Sequence, residues 1–280
     1  MLFSRLSRTV TLTAATCAVA LTTATPSHAG DETVNVLVIK EHGVGGAAQA
    51  QPFIDKLMSV VARLNGWTAG AGKYVTKRDA AEEYIHGSNP RFGIMSLAAF
   101  LGLGARHKLD VIGQAEVAQA GGRQYHVISK TAADLAGCKG KTLATDHADD
   151  PRFLEKVVAR GSFVLADFQL VATTRPVQTL KKVTAGEAEC ALVDDAQFAE
   201  LGKVEGGAAV KSVWASDKLP PMVVVAFPAA SAAERKAFQG NMSKICQGDG
   251  KAVCQEAGIA AFKSAGAADY AAVTTAYNAK

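Results

Sequence analysis

Residues 174–195 read TRPVQTLKKVTAGEAECALVDD, and this stretch decides the fold class. Thr174 is placed to cap a helix, and Pro176 suits its first turn, where a missing N–H leaves nothing unsatisfied. Val177, Leu180 and Val183 share one helical face, and Gly186 ends the helix because glycine enters the left-handed conformation at little cost. Cys190 to Val193 is an apolar run too short for a helix, so it reads as a strand covered on both faces, as in parallel sheets. Asp194 and Asp195 close that strand. Ligands of open parallel sheets bind beyond the carboxyl ends of strands and against helix N-termini, so this stretch is half of a ligand-binding crossover.

The same rhythm extends in both directions. Val34 to Ile39 is a strand, followed by the loop Lys40-Glu41-His42-Gly43-Val44-Gly45-Gly46 and a helix from about Pro52 to Leu64. Lys73 to Thr76 is a second strand, Asp79 to His86 a short helix, and Phe92 to Met95 a third strand, after which Ser96 can cap an apolar helix. Asp110 to Val117 and Gln124 to Ser129 add two strands. From residue 131 the rhythm restarts with strand Thr142 to Thr145, helix Pro151 to Arg160 and strand Phe168 to Ala172. Met222 to Phe227 is a further β-forming run, and everything after Ala230 reads as helix. Alternating strands and helices define an α/β fold. The expected architecture has two lobes, each a mixed sheet flanked by helices and joined by two crossing strands. Lobe one is assigned residues 30–130 and 223–280, lobe two residues 131–222.

Residues 1–29 do not share this pattern. Arg5 and Arg8, the moderately apolar Val10 to Leu21 and the small-residue site Ser27-His28-Ala29 read as a signal peptide that directs the chain to the periplasm. The apolar run is shorter than a membrane span requires and is rich in threonine, so no membrane insertion is expected. The formal net charge of +4 falls to +2 without Arg5 and Arg8, a balance that favours neither nucleic acid nor a membrane surface.

Beyond the signal segment lie four cysteines, and an even count in an exported protein favours disulfides. Cys246 and Cys254 flank a short turn, so local pairing leaves Cys138 with Cys190; three pairings are formally possible, and four buried thiols are the alternative.

Four segments carry a family resemblance: Phe92-Gly93-Ile94-Met95-Ser96, Asp134 to Ala144, Ala185 to Asp194, and Leu219-Pro220-Pro221-Met222-Val223-Val224. Their order resembles type 2 periplasmic solute-binding proteins, most closely the phosphate, phosphite and phosphonate-binding branch. The resemblance implies a monomeric, non-enzymatic receptor, without a cofactor, that closes two lobes over a small polar or anionic solute and hands it to an ABC transporter permease. A ligand-sensing subunit for a membrane kinase, or an enzyme on the same fold, are the alternative functions. No G-x-S-x-G, H-E-x-x-H or close Cys-His pair supports catalysis.

Resemblance and strand-end geometry together nominate the solute contacts: His42 and Gln49 from the first loop, Ser96 from the third strand, Thr145 and Asp146 from lobe two, Thr174 and Arg175 at the helix start, and Asp194 at the strand end. Each has a structural reading as well. His42 suits a surface loop, Ser96 a helix cap, and Arg175 a solvated helix start. The sequence departs from the family at Thr145-Asp146-His147-Ala148-Asp149-Asp150-Pro151, where phosphonate binders typically carry serine, threonine and glycine. Asp150 before Pro151 reads as an N-cap; Asp146 and His147 are competent metal ligands, but the spacing matches no calcium loop and no metal is assigned. An acidic loop opposite Arg175 points to a zwitterionic or mixed-charge solute.

Overall fold

The computed structural model describes residues 33–42, 46–117 and 121–279. The segment read as a signal peptide lies outside the described residues, as do Gly43, Val44 and Gly45 of the first loop. Residues 31–280 form one compact unit.

From its start, β1 (Val34–Ile39) leads through α1 (Ala47–Asn65) to β2 (Gly70–Val75), α2 (Arg78–Ser88), β3 (Phe92–Met95), α3 (Leu97–Leu103) and β4 (Asp110–Val117). Next come β5 (Tyr125–Ser129), β6 (Thr142–Thr145), a π-helical segment Phe153–Ala159, β7 (Gln169–Ala172), α4 (Pro176–Ala185), β8 (Cys190–Asp194), α5 (Asp195–Glu200) and β9 (Lys211–Ala215). The chain closes with β10 (Met222–Ala226), α6 (Ala232–Asn241), α7 (Gly250–Glu256), β11 (Ile259–Ser264) and α8 (Ala271–Asn278).

These strands form two mixed sheets. The first has the order β11-β4-β10-β3-β1-β2, with β1 parallel to β2 and β3 while β10 and β11 run antiparallel to their neighbours. The second has the order β7-β6-β8-β5-β9, with β6 parallel to β7 and β8 and with β5 antiparallel to β8 and β9. The apolar run in β8 is buried throughout because it is central and covered on both faces. Gly186, at φ 79°, ends α4 as its sequence demands.

Three expectations are corrected. β5 pairs with β8 and β9, so the first crossing falls between β4 and β5, and residues 125–129 belong with lobe two rather than lobe one. The chain after Ala230 is not all helical: Gly258, at φ 69°, stops the preceding helix, and β11 then buries Ile259 and Phe262 at the sheet edge. Thr174 does not cap α4. Arg175 holds the N-cap position without a side-chain bond, and Thr174 bonds through N and Oγ1 to Gln178 Oε1.

Both disulfides follow the expected pairing. Cys138–Cys190 ties the turn after β5 to the start of β8, and Cys246–Cys254 closes the short loop before and within α7. Two hydrogen bonds join the crossings: Leu219 N donates to Arg123 O at 2.6 Å and Arg123 Nε donates to Leu219 O at 2.9 Å. One apolar cluster contains Leu37, Met95 and Val223 of the first sheet together with Tyr125, Leu143 and Phe153 of the second lobe, so the lobes share part of their core.

Candidate functional site

The parallel strands of both sheets end on a common seam. Lys40, Glu41 and His42 follow β1, Ser96 follows β3, Asp146 and His147 follow β6, and Asp194 ends β8. This is where an open α/β sheet offers loops and helix starts rather than covered strand.

His42 crosses the seam. Its Nε2 lies 3.2 Å from Asp149 Oδ1 and its Nδ1 lies 3.7 Å from Asp146 Oδ2, while its ring packs 4.3 Å from that of His147. Burial works against a charged imidazole here, but hydrogen bonds to Asp146 and Asp149 and their negative charges outweigh it and raise the His42 pKa to about 10. Burial likewise opposes ionisation of Asp146 and Asp149, and His42 overrides it, holding both carboxyls below the usual range. His147 goes the other way. Its complete burial and the adjacent His42 charge lower it to about 4, so it is neutral at pH 7 and its 4.0 Å approach to Asp146 is no ion pair.

Asp146 is also held from within lobe two. Thr179 Oγ1 donates to Oδ1 at 3.0 Å, and Gln197 Nε2 donates to both oxygens at 3.1 Å. Gln197 Nε2 lies 3.2 Å from His147 Nε2, and Gln197 N donates to Asp194 Oδ1 at 2.7 Å. A second bridge runs alongside: Arg78 grips Glu41 at 2.8 and 3.0 Å and Asp150 at 3.0 Å, and Tyr277 OH donates to Asp150 at 3.2 Å. Asp150 Oδ1 accepts from Phe153 N at 2.9 Å, the capping role its sequence context suggests.

Two cavities adjoin this seam. The smaller, about 30 Å³, lies between the lobes and is lined among others by Lys40, His42, Ser96, Arg123, Tyr125 and Asp194. That is room for about one water. Among the described residues, Lys40 and Arg123 have no carboxylate within ion-pairing distance, whereas Glu41 is neutralised by Arg78. Burial pushes the Asp194 carboxyl up to about 6, which leaves it mostly ionised at pH 7, and with Glu41 neutralised two cations stand against this one carboxylate on the lining. The larger cavity, about 470 Å³, lies against α1 and shares Lys40 and Met222 with the smaller one.

The nominated residues separate accordingly. His42, Ser96 and Asp194 meet at the small cavity; Ser96 also caps α3 through Ala99 N, and Asp194 caps α5. Gln49 lines the large cavity, its Oε1 accepting from Gly46 N. Thr145 is buried beneath the seam and accepts from His147 N, and Asp146 faces His42. Thr174 and Arg175 are exposed and line neither cavity, so the expected opposition of Arg175 to the acidic loop does not occur: the cation facing Asp146 is His42. Sequence reasoning did not single out Lys40, Arg78, Arg123, Tyr125 or Gln197. Lys40 was open to discovery, as the first residue past a central strand; Arg78 and Arg123 carry no local motif.

Two lobes around a polar seam at their strand ends define a two-lobed solute-binding protein. Residues 117–270 match the family model described as ABC transporter, phosphonate, periplasmic substrate-binding protein, and the chain belongs to that family. Solved structures agree in fold. A binding protein component of an ABC phosphonate transporter from Pseudomonas aeruginosa is 13% identical, with a TM-score of 0.66 over 87% of this chain and 85% of that one. A protein from Prochlorococcus marinus in complex with methylphosphonate is 11% identical, with a TM-score of 0.64 over 88% and 97%. The periplasmic aliphatic sulphonate binding protein of Escherichia coli is 10% identical, with a TM-score of 0.57 over 89% and 75%. No curated protein matches the sequence. Family and fold are those of substrate-binding proteins rather than enzymes.

Proposed function

We propose that this chain, exported by its first 29 residues and acting as a monomer without catalysis, captures a small anion-bearing solute between its lobes for an ABC permease. The observation that carries this reading is the interlobe cavity, where Lys40 and Arg123 have no carboxylate within ion-pairing distance among the described residues, beside Ser96 and the buried Asp194. A solute anion there gains two charge-assisted partners. The acidic loop serves a different end. Asp146, supplied by Thr179, Gln197 and His42, latches the lobes together rather than meeting the solute. Because the closed cavity holds only about a water, entry requires the lobes to part by hinge motion at the paired crossings.

A thermal-shift screen of phosphonates, sulfonates, phosphate, amino acids and polyamines tests this. A ligand at 100 times its Kd adds about 2.7 kcal/mol of stability. Stabilisation by the phosphonate or sulfonate set, lost in Lys40→Gln, is expected. Stabilisation by polyamines alone would contradict the reading.

A further inference from the structure

The 470 Å³ cavity has the size of a small-molecule site and the lining of one. Gln49, Ala50, Phe53, Ile54 and Leu57 recur at helical spacing, so one face of α1 forms a wall. Val38, Ile94 and Ile259 form the floor from the first sheet, and Ala196 and Ala199 of α5 face it from lobe two. It is an open cleft rather than a sealed void, since Gln49, Phe53 and Ala199 are exposed, but core side chains of the first lobe, Val38, Ile54, Leu57 and Ile94, also border it. Polar groups are few. Gln49 and Tyr74, whose hydroxyl has no hydrogen-bond partner among the described residues, are on the lining with Glu200 and Glu256, which are paired with Lys203 and Lys56, and Lys40 stands where this cavity meets the interlobe one.

We infer that this cavity seats the organic body of the captured solute while its anionic group rests at Lys40, so that the preferred ligands are phosphonates or sulfonates bearing an extended alkyl or aryl group. The inference rests on the capture reading and adds a direction to it. An anion at Lys40 can send a substituent toward α1 without disturbing the His42 latch, because His42 borders only the smaller cavity. The apolar walls reward each buried methylene, whereas a methyl-bearing solute leaves them uncovered. Alanines at 50 and 199, both on the lining, leave width that larger residues would remove.

Isothermal titration of the full chain with methyl-, butyl- and octylphosphonate tests this, with octylamine as a probe of the same tail and opposite charge. Affinity is expected to rise about fourfold per added methylene until the cavity is full, the change that ~0.8 kcal/mol per buried methylene corresponds to. Ala50→Phe, entering from α1, and Ala199→Phe, entering from the exposed side of α5, are each expected to flatten the series while methylphosphonate binding persists. Equal affinity across the series in the wild type overturns the cavity assignment and leaves capture standing. Octylamine binding as tightly as octylphosphonate overturns the seating of the anion at Lys40. Failure of all three phosphonates to bind overturns capture of such anions, and this inference with it.

Discussion

At the seam, Asp146 accepts from Thr179 and Gln197 and faces the His42 imidazole at 3.7 Å, and the cavity beside it holds about one water; across Lys40, 470 Å³ stands open between largely apolar walls. Both regions join the same two lobes. One is closed by partners that satisfy one another, and the other is left for something else to fill. The difference shows that charge in a cleft is no measure of what the cleft binds. The most acidic loop in the site is consumed internally, and the groups available to a solute are the cations and the apolar wall beyond it.

The largest effect expected on breaking this contrast comes from Asp146→Ala. It leaves the Thr179 hydroxyl and the Gln197 amide facing a gap and His42 with Asp149 alone, and loss of one partner of a buried charge pair costs up to about 3–5 kcal/mol. Urea denaturation measures it, and a loss below about 1 kcal/mol would mean that the pair is as weak as an exposed one.

Next is the dependence of the latch on pH. The His42 pKa rises on folding, so its stabilisation is complete below its ordinary value of 6.5 and is lost as pH rises through about 10. The melting temperature of the wild type minus that of His42→Ala therefore shrinks between pH 7 and 10.5, lysine titration being common to both proteins. The neutral His147 has the opposite sign: its contribution is complete above pH 6.5 and is lost as pH falls toward about 4.

On the cavity side the expected effect is smaller and reversed. Ala50→Leu fills space rather than creating it, and cavity-filling changes commonly add about 0.5–2 kcal/mol. A loss of that size would show that the wall is already packed. Ser96→Ala costs about 1 kcal/mol through its cap on α3, whereas Thr174→Ala, at an exposed residue that caps nothing, stays within about 0.5 kcal/mol. Chemical denaturation of the two variants side by side distinguishes a cap that forms from one that only the sequence suggests.

The fold was largely legible because its signals are local. The β8 run, the Gly186 stop, the Ser96 cap and the spacing of the cysteines each depend on a few neighbouring residues. β11 was hidden because Ile259-Ala-Ala-Phe262 carries alanines that favour a helix, and only pairing with β4 makes it a strand. The site was legible in its strand ends but not in its partnerships. That His42, rather than Arg175, faces Asp146 depends on how two lobes meet across a hundred residues of chain, and no spacing within either lobe encodes it. Arg78 shows the same limit, since both its acidic partners lie far away in sequence.

The position of a bound anion tests the central claim most directly. In crystals grown with methylphosphonate, phosphorus is expected within about 4 Å of Lys40 Nζ and the Arg123 guanidinium, with Asp146 still bonded to Thr179 and Gln197. Phosphorus over the loop from Asp146 to Asp149, with His42 displaced from both carboxylates, would contradict the account.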